Sequence, residues 1–148
     1  MEDGNVHVER VMERVDDRRR LRQAWQRVRS NAGAAGVDPM TVEAFAEREE
    51  ELLDLIHDKL EAGTYRFKPA GRVSIPKPGS TKKRNLGIPV VMDRIVSHSL
   101  HNVLEELYEP DFTTSNFGFR RGKSQHQAIG HVRQAVVEGY EWCAAIDL

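Results

Sequence analysis

Cysteine is almost absent from this sequence. Cys143 is the single one in 148 residues, which excludes an intrachain disulfide and any metal centre built on a cysteine cluster. It falls at the start of an expected strand and so reads as a small buried apolar residue. Long apolar runs are missing too: none approaches the ~18 residues of a membrane-spanning helix. Glu2 and Asp3 open the chain with no apolar stretch behind them, unlike a secretory signal, so a cytoplasmic protein with no membrane partner is expected. There is no internal repeat, low-complexity tract or linker. Among the six histidines only His98 and His101 are close enough to pair on a helix, and no third ligand lies nearby in sequence.

Charge is present in quantity, and it is segregated. The net charge is -1, yet nine carboxylates and only two cations, Arg48 and Lys59, lie between Asp38 and Glu61. From Ala62 to Met92 there is no carboxylate, while Arg66, Lys68, Arg72, Lys77, Lys82, Lys83 and Arg84 supply seven positive charges. A second carboxylate-free stretch, Phe112 to Val137, carries Arg120, Arg121, Lys123 and Arg133. Blocks of this kind suit a phosphate-rich partner on one face.

The length allows one ordinary core, of α+β class. Val11, Val15, Leu21, Trp25 and Val28 predict one helix over about 6–30, or two broken near Asp16 and Asp17, where Asp17 caps the second. A loop rich in glycine and alanine, 31–39, leads to a helix capped by Asp38 or Thr41 and running to about Ala62, with Phe45, Leu52, Leu53, Ile56 and Leu60 as its buried stripe and Gly63 at its stop. Residues 72–77 and 82–88 predict a β-hairpin, edge-like because Pro76 and Pro78 lack amide donors. A core helix follows over about 91–108. Ser124 and Gln127 form a capping box for a last helix ending near Gly139, and 141–148 reads as an apolar strand.

Four ordered stretches carry chemistry. The first is Ile75-Pro76-Lys77-Pro78-Gly79, and the second is Lys83-Arg84-Asn85-Leu86-Gly87-Ile88-Pro89. A proline-stiffened ribbon can hold Lys77 and Arg84 toward a common space, Arg84 as a fork for phosphate oxygens and Lys77 as a point charge. A solvated basic hairpin without a ligand is the plain alternative. The third is Asn116-Phe117-Gly118-Phe119-Arg120-Arg121-Gly122-Lys123-Ser124, which opens a helix, so amides and dipole there favour an anion. The fourth is Trp142-Cys143-Ala144-Ala145-Ile146-Asp147; on its own, Asp147 is no more than a carboxylate at a strand end.

In this order the four stretches resemble the group II intron reverse transcriptases, over essentially the whole chain. The resemblance implies the fingers of a right-hand polymerase, with 1–40 as a helical extension and loop, 41–140 as fingers and 141–148 as the start of the palm. It implies that Lys77 and Arg84 contact the triphosphate of an incoming dNTP and that Ile88 packs on the templating base. It further implies that Arg72, Lys82, Lys83, Arg120, Arg121 and Lys123 follow the RNA, and that Phe117, Phe119 and His126 are structural. Asp147 matches the first catalytic, metal-binding aspartate, with Mg2+ as cofactor of the complete enzyme and RNA template, intron RNA included, and DNA primer as partners. The loop 31–38 is similar to a family segment near the template. Gly71 before Arg72, Asn85 and Arg121 depart from the family pattern, the last two at frequent proline positions.

One carboxylate cannot organise the two ions that nucleotidyl transfer uses, and the remaining catalytic motifs would fall beyond Leu148. The 148-residue chain by itself is therefore expected to be inactive, with self-association through an exposed palm edge. A non-catalytic RNA-binding module supporting intron splicing is the alternative from a different class. Within the enzyme class, the retron, diversity-generating and CRISPR-associated types are the other members.

Overall fold

A computed structural model describes residues 10–79 and 81–146. It divides into two compact units, Met1–Leu107 and Tyr108–Leu148.

The first unit opens with α1 (Val11–Val15) and α2 (Arg18–Asn31), separated at Asp16 and Asp17. Asp17 caps α2 by accepting from the amides of Arg19 and Arg20, each at 3.1 Å, which satisfies donors that a helix start leaves orphaned. After the glycine loop, Thr41 caps α3 (Val42–Glu47) through the Ala44 amide at 3.1 Å. The single helix expected to run on to Ala62 is two helices. Arg48 leaves helical geometry at φ -127°, and α4 (Glu49–Glu61) starts beyond it. Arg48 also pairs with Glu51 across the break. Gly63 ends α4 with φ +64°, a left-handed conformation that glycine adopts without penalty.

The core of this unit is a helical layer. Leu21, Trp25 and Val28 of α2, Phe45 of α3, Leu52, Leu53, Ile56 and Leu60 of α4, and Val91, Ile95 and Val96 of α5 (Val91–Tyr108) form one buried cluster. Trp25 and Phe45 meet ring to ring at 4.4 Å between centroids, and both are fully buried, so this pair carries a large part of the apolar burial. Along the outside, arginines of α2 face carboxylates of α4: Arg22 to Glu50 at 2.5 Å, Arg18 to Asp54 at 3.0 Å, and Arg29 to Glu49 at 3.8 Å. Much of the acidic block is thus matched by the N-terminal arginines.

Between α4 and α5 stands the hairpin, β1 (Gly71–Pro76) and β2 (Lys83–Ile88), antiparallel with Gly71 opposite Ile88 and Pro76 opposite Lys83. It is the only sheet among the described residues.

In the second unit, a 3-10 turn at Glu109–Asp111 leads through a loop to α6 (Gln125–Val137). The capping box forms as predicted: Ser124 Oγ accepts from the Gln127 amide at 3.3 Å, and Gln127 Oε1 accepts from the Ser124 amide at 2.8 Å. Gly139 follows with φ +97°. The predicted strand over 141–148 is not seen: residues 141–146 carry no secondary structure, and 147–148 lie outside the described residues. A strand needs a neighbour for its amides and carbonyls, and no partner strand is present for it among the described residues. Cys143, expected to be buried there, is exposed.

Candidate nucleic-acid interface

The strand register decides which hairpin side chains share a face, because residues opposite one another in an antiparallel pair project to the same side. Gly71 with Ile88, Val73 with Leu86, and Ile75 with Arg84 make one face; Arg72 with Gly87, Ser74 with Asn85, and Pro76 with Lys83 make the other. The Lys77 amide donates to the Lys82 carbonyl at 3.0 Å, so the alternation carries Lys77 and Lys82 onto the Arg84 and Ile88 side. Lys77 and Arg84 are exposed and Ile88 is half-buried at the base. On the opposite face Ser74 Oγ donates to Asn85 Oδ1 at 2.6 Å, which ties the strands at mid-length. Among the described residues no carboxylate pairs with Arg72, Lys77, Lys83 or Arg84. These four hairpin cations thus stand without a carboxylate partner among the described residues.

The ribbon's footing is polar and buried. Asp93, in the first turn of α5, is 2% exposed; it accepts from the Tyr65 hydroxyl at 2.7 Å and from the Lys68 amide at 2.9 Å. Burial, and then the hydrogen bond to Asp93, pushes the Tyr65 phenol far above its ordinary range, so it stays a donor. The loop 31–39 lies against the same footing. Lys68 Nζ meets Asp38 Oδ2 at 2.8 Å, and a Cβ on Gly71 would sit 3.6 Å from Val37 Cγ1. Sequence reasoning passed over Tyr65 and Asp93. An aspartate in the first turn of an apolar helix reads as an ordinary dipole partner, and its burial depends on chain segments remote in sequence.

In the second unit, Arg120 is turned inward. Its side chain is 10% exposed. It donates from Nε and Nη2 to Glu109, at 2.7 Å for the shortest contact, and from Nη1 to the carbonyls of Thr113 and Asn116 at 2.7 and 2.9 Å. It also stacks over Phe112 at 5.3 Å. The hydrogen bond from Arg120 holds the Glu109 carboxyl below its ordinary value. This guanidinium organises the loop, and four of its five donors are used in doing so. Lys123 lies over the Phe117 ring at 5.6 Å, and Phe117 packs on His131 with centroids 5.6 Å apart. Arg121 and His126 are exposed. Phe119, expected to pack, is fully exposed with φ +57°, an uncommon conformation for a bulky residue.

Asp147 lies outside the described residues. Among the described residues one group could share a cation, His57, Asp58 and Glu61 of α4, with ligand atoms within 4.8 Å of one another. It does not suit Mg2+, which prefers an octahedron of oxygens. The set includes an imidazole whose Nδ1 is already bonded to the Asp16 carbonyl at 2.7 Å, and Asp58 faces Arg18 at 3.8 Å. No helix of the described residues is long and apolar enough to cross a membrane.

A helical body bearing a basic hairpin, on a chain with these ordered motifs, has relatives among known proteins. Over most of its length the chain is homologous to group II intron-encoded proteins. It is 35% identical over 127 residues to the group II intron-encoded protein LtrA of Lactococcus lactis subsp. cremoris, covering 84% of this chain and 20% of LtrA. Protein YkfC of Escherichia coli K12 is 35% identical over 133 residues, 88% of this chain and 35% of YkfC. A putative COX1/OXI3 intron 1 protein of Saccharomyces cerevisiae is 30% identical over 149 aligned positions, 99% of this chain and 17% of the yeast protein. The chain thus spans between about a sixth and about a third of these curated relatives. No protein-family model matches it.

Proposed function

We propose that this chain is the fingers portion of an RNA-directed DNA polymerase of the group II intron type, binding RNA template and the phosphates of an incoming dNTP. One observation carries the proposal: the register sets Lys77 and Arg84 on the face that Ile88 closes at the base, with no carboxylate paired to either cation among the described residues. Such a face suits a triphosphate at its cationic end and a base at its apolar end. Arg72, Lys82, Lys83, Arg121 and Lys123 are the residues assigned to the RNA backbone. Arg120 shapes the loop that presents its neighbours.

In the same proposal 1–40 is the extension and loop, 41–140 the fingers and 141–148 the start of the palm. Asp147 is a ligand of Mg2+ in the complete enzyme, acting with a DNA primer. Phosphoryl transfer through two ions needs more carboxylates than Asp147 alone, so binding, and not polymerisation, is assigned to the 148-residue segment itself. Exposed Trp142 and Ile146 support self-association through the 141–148 segment.

The test is titration of a fluorescent single-stranded RNA at several salt concentrations, with and without dNTP. A negative slope of log K against log salt corresponding to several phosphates, lowered by about 0.7 for each contact removed, is expected. A salt-independent affinity, or addition of a nucleotide to a primed template by the chain alone, contradicts the proposal.

A further inference from the structure

The first turn of α5 reaches in two directions from adjacent residues. Asp93 holds the segment leading into β1, and Arg94 reaches the glycine loop. Arg94 Nε donates to the Pro89 carbonyl at 2.9 Å, and its Nη2 donates to the Ala34 carbonyl. The loop closes tightly on this arm: a Cβ on Gly33 would come within 2.7 Å of Arg94 Nη1, and one on Gly36 within 2.7 Å of the Val90 backbone. Both distances are below any real Cβ contact: at Gly36 the neighbour is backbone, so the position demands glycine, whereas at Gly33 a Cβ would displace the Arg94 guanidinium. Pro89 is the residue after β2. One planar fork therefore spans the end of the hairpin and the middle of the loop, a geometry that a lysine ammonium does not reproduce.

We propose that Arg94 is a positioning residue that fixes the Gly33–Asp38 loop against the hairpin base, so that loop and hairpin meet a nucleic-acid strand as one preformed surface. The nucleic acid in this statement rests on the function proposed above; the coupling of loop to hairpin does not. The guanidinium serves two carbonyls and is not assigned a phosphate. Val37, 55% exposed, is the loop side chain beside Gly71, the residue opposite Ile88 in the hairpin.

Two variants separate positioning from folding. Arg94→Met keeps the stem and removes the fork. Gly33→Ala keeps Arg94 and every core residue but pushes the guanidinium aside. In a Cys143→Ser background, spin labels at Ala35→Cys and Lys83→Cys report the loop-to-hairpin distance without RNA. A narrow distance distribution in the parent and a broadened one in both variants is expected, with Arg94→Lys failing to restore it. A distribution equally narrow in both variants overturns the proposal.

RNA titration of unlabelled protein then tests the functional half. Several-fold weaker binding with an unchanged salt slope is expected for Arg94→Met. A slope lower by about 0.7 would mean a direct phosphate contact and overturn the positioning role. Absence of RNA binding by the parent would remove the nucleic-acid reading while leaving the distance result intact.

Discussion

The helical body and the hairpin of the first unit use charge in opposite ways. On the body, arginines of α2 face carboxylates of α4, and Arg14 and Arg20 close on Glu106 at 2.5 and 2.8 Å. On the hairpin, Arg72, Lys77, Lys83 and Arg84 have no carboxylate among the described residues. Apolar groups divide in the same way: the body buries Trp25 and Phe45 completely, whereas Val73 and Leu86 of the hairpin are each 43% exposed. The body uses its charges in pairs, and the hairpin leaves these four cations without a carboxylate. A net charge of -1 conceals this because it sums two populations with different work.

The largest effect is expected from breaking the body. Trp25→Ala removes the centre of the core and should cost about 3–5 kcal/mol in urea unfolding, while the RNA affinity of the remaining folded protein is unchanged; a parallel loss of affinity in that folded fraction would merge the two regions. Removing Lys77 and Arg84 together should do the reverse. Binding of dNTP should weaken by about tenfold or more, the salt slope of RNA binding should stay as it is because these two cations are assigned to the triphosphate, and the thermal midpoint should hardly move.

Acid sharpens the same contrast. The hydrogen bond from Arg20, with Arg14 adding its charge, holds the Glu106 carboxyl below the ordinary glutamate value. A depressed carboxylate contributes stability that is complete above its unfolded value and is lost as pH falls through the folded one. Glu106→Gln should therefore flatten the acid limb of a stability-versus-pH curve, followed by circular dichroism, and leave RNA binding at neutral pH alone. The smallest effect belongs to Arg22→Ala, an exposed pair with Glu50, for which less than about 1 kcal/mol is expected.

Local signals carried most of the fold. The caps at Asp17, Thr41 and Ser124, the stops at Gly63 and Gly139, and the hairpin between Gly71 and Ile88 are all set by residues within a few positions of where they act. The break at Arg48 was hidden because the apolar stripe continues through it. The strand at 141–148 was inferred from apolar content, which says nothing about a partner. The site was legible at the level of charge and less so at the level of geometry. Arg120 looks in sequence like Arg121, and only the placement of Glu109 and two carbonyls distinguishes a loop strut from a surface cation. Asp93 and Arg94 were silent for the same reason: Tyr65, Lys68 and Ala34, which they hold, lie 25 to 60 positions away.

A two-stranded ribbon held mainly at one end is mechanically a lever. Asp93 and its bonds to Tyr65 and Lys68 grip the base, whereas Lys77 lies just past the far end of β1. Six strand residues at about 3.4 Å each put that end ~20 Å from the grip, so a tilt of about 3° at the base carries Lys77 through ~1 Å. Charge-assisted hydrogen bonds are fitted within a few tenths of an ångström, so a displacement too small to notice around Asp93 is large enough at the tip to make or break a bond of that kind.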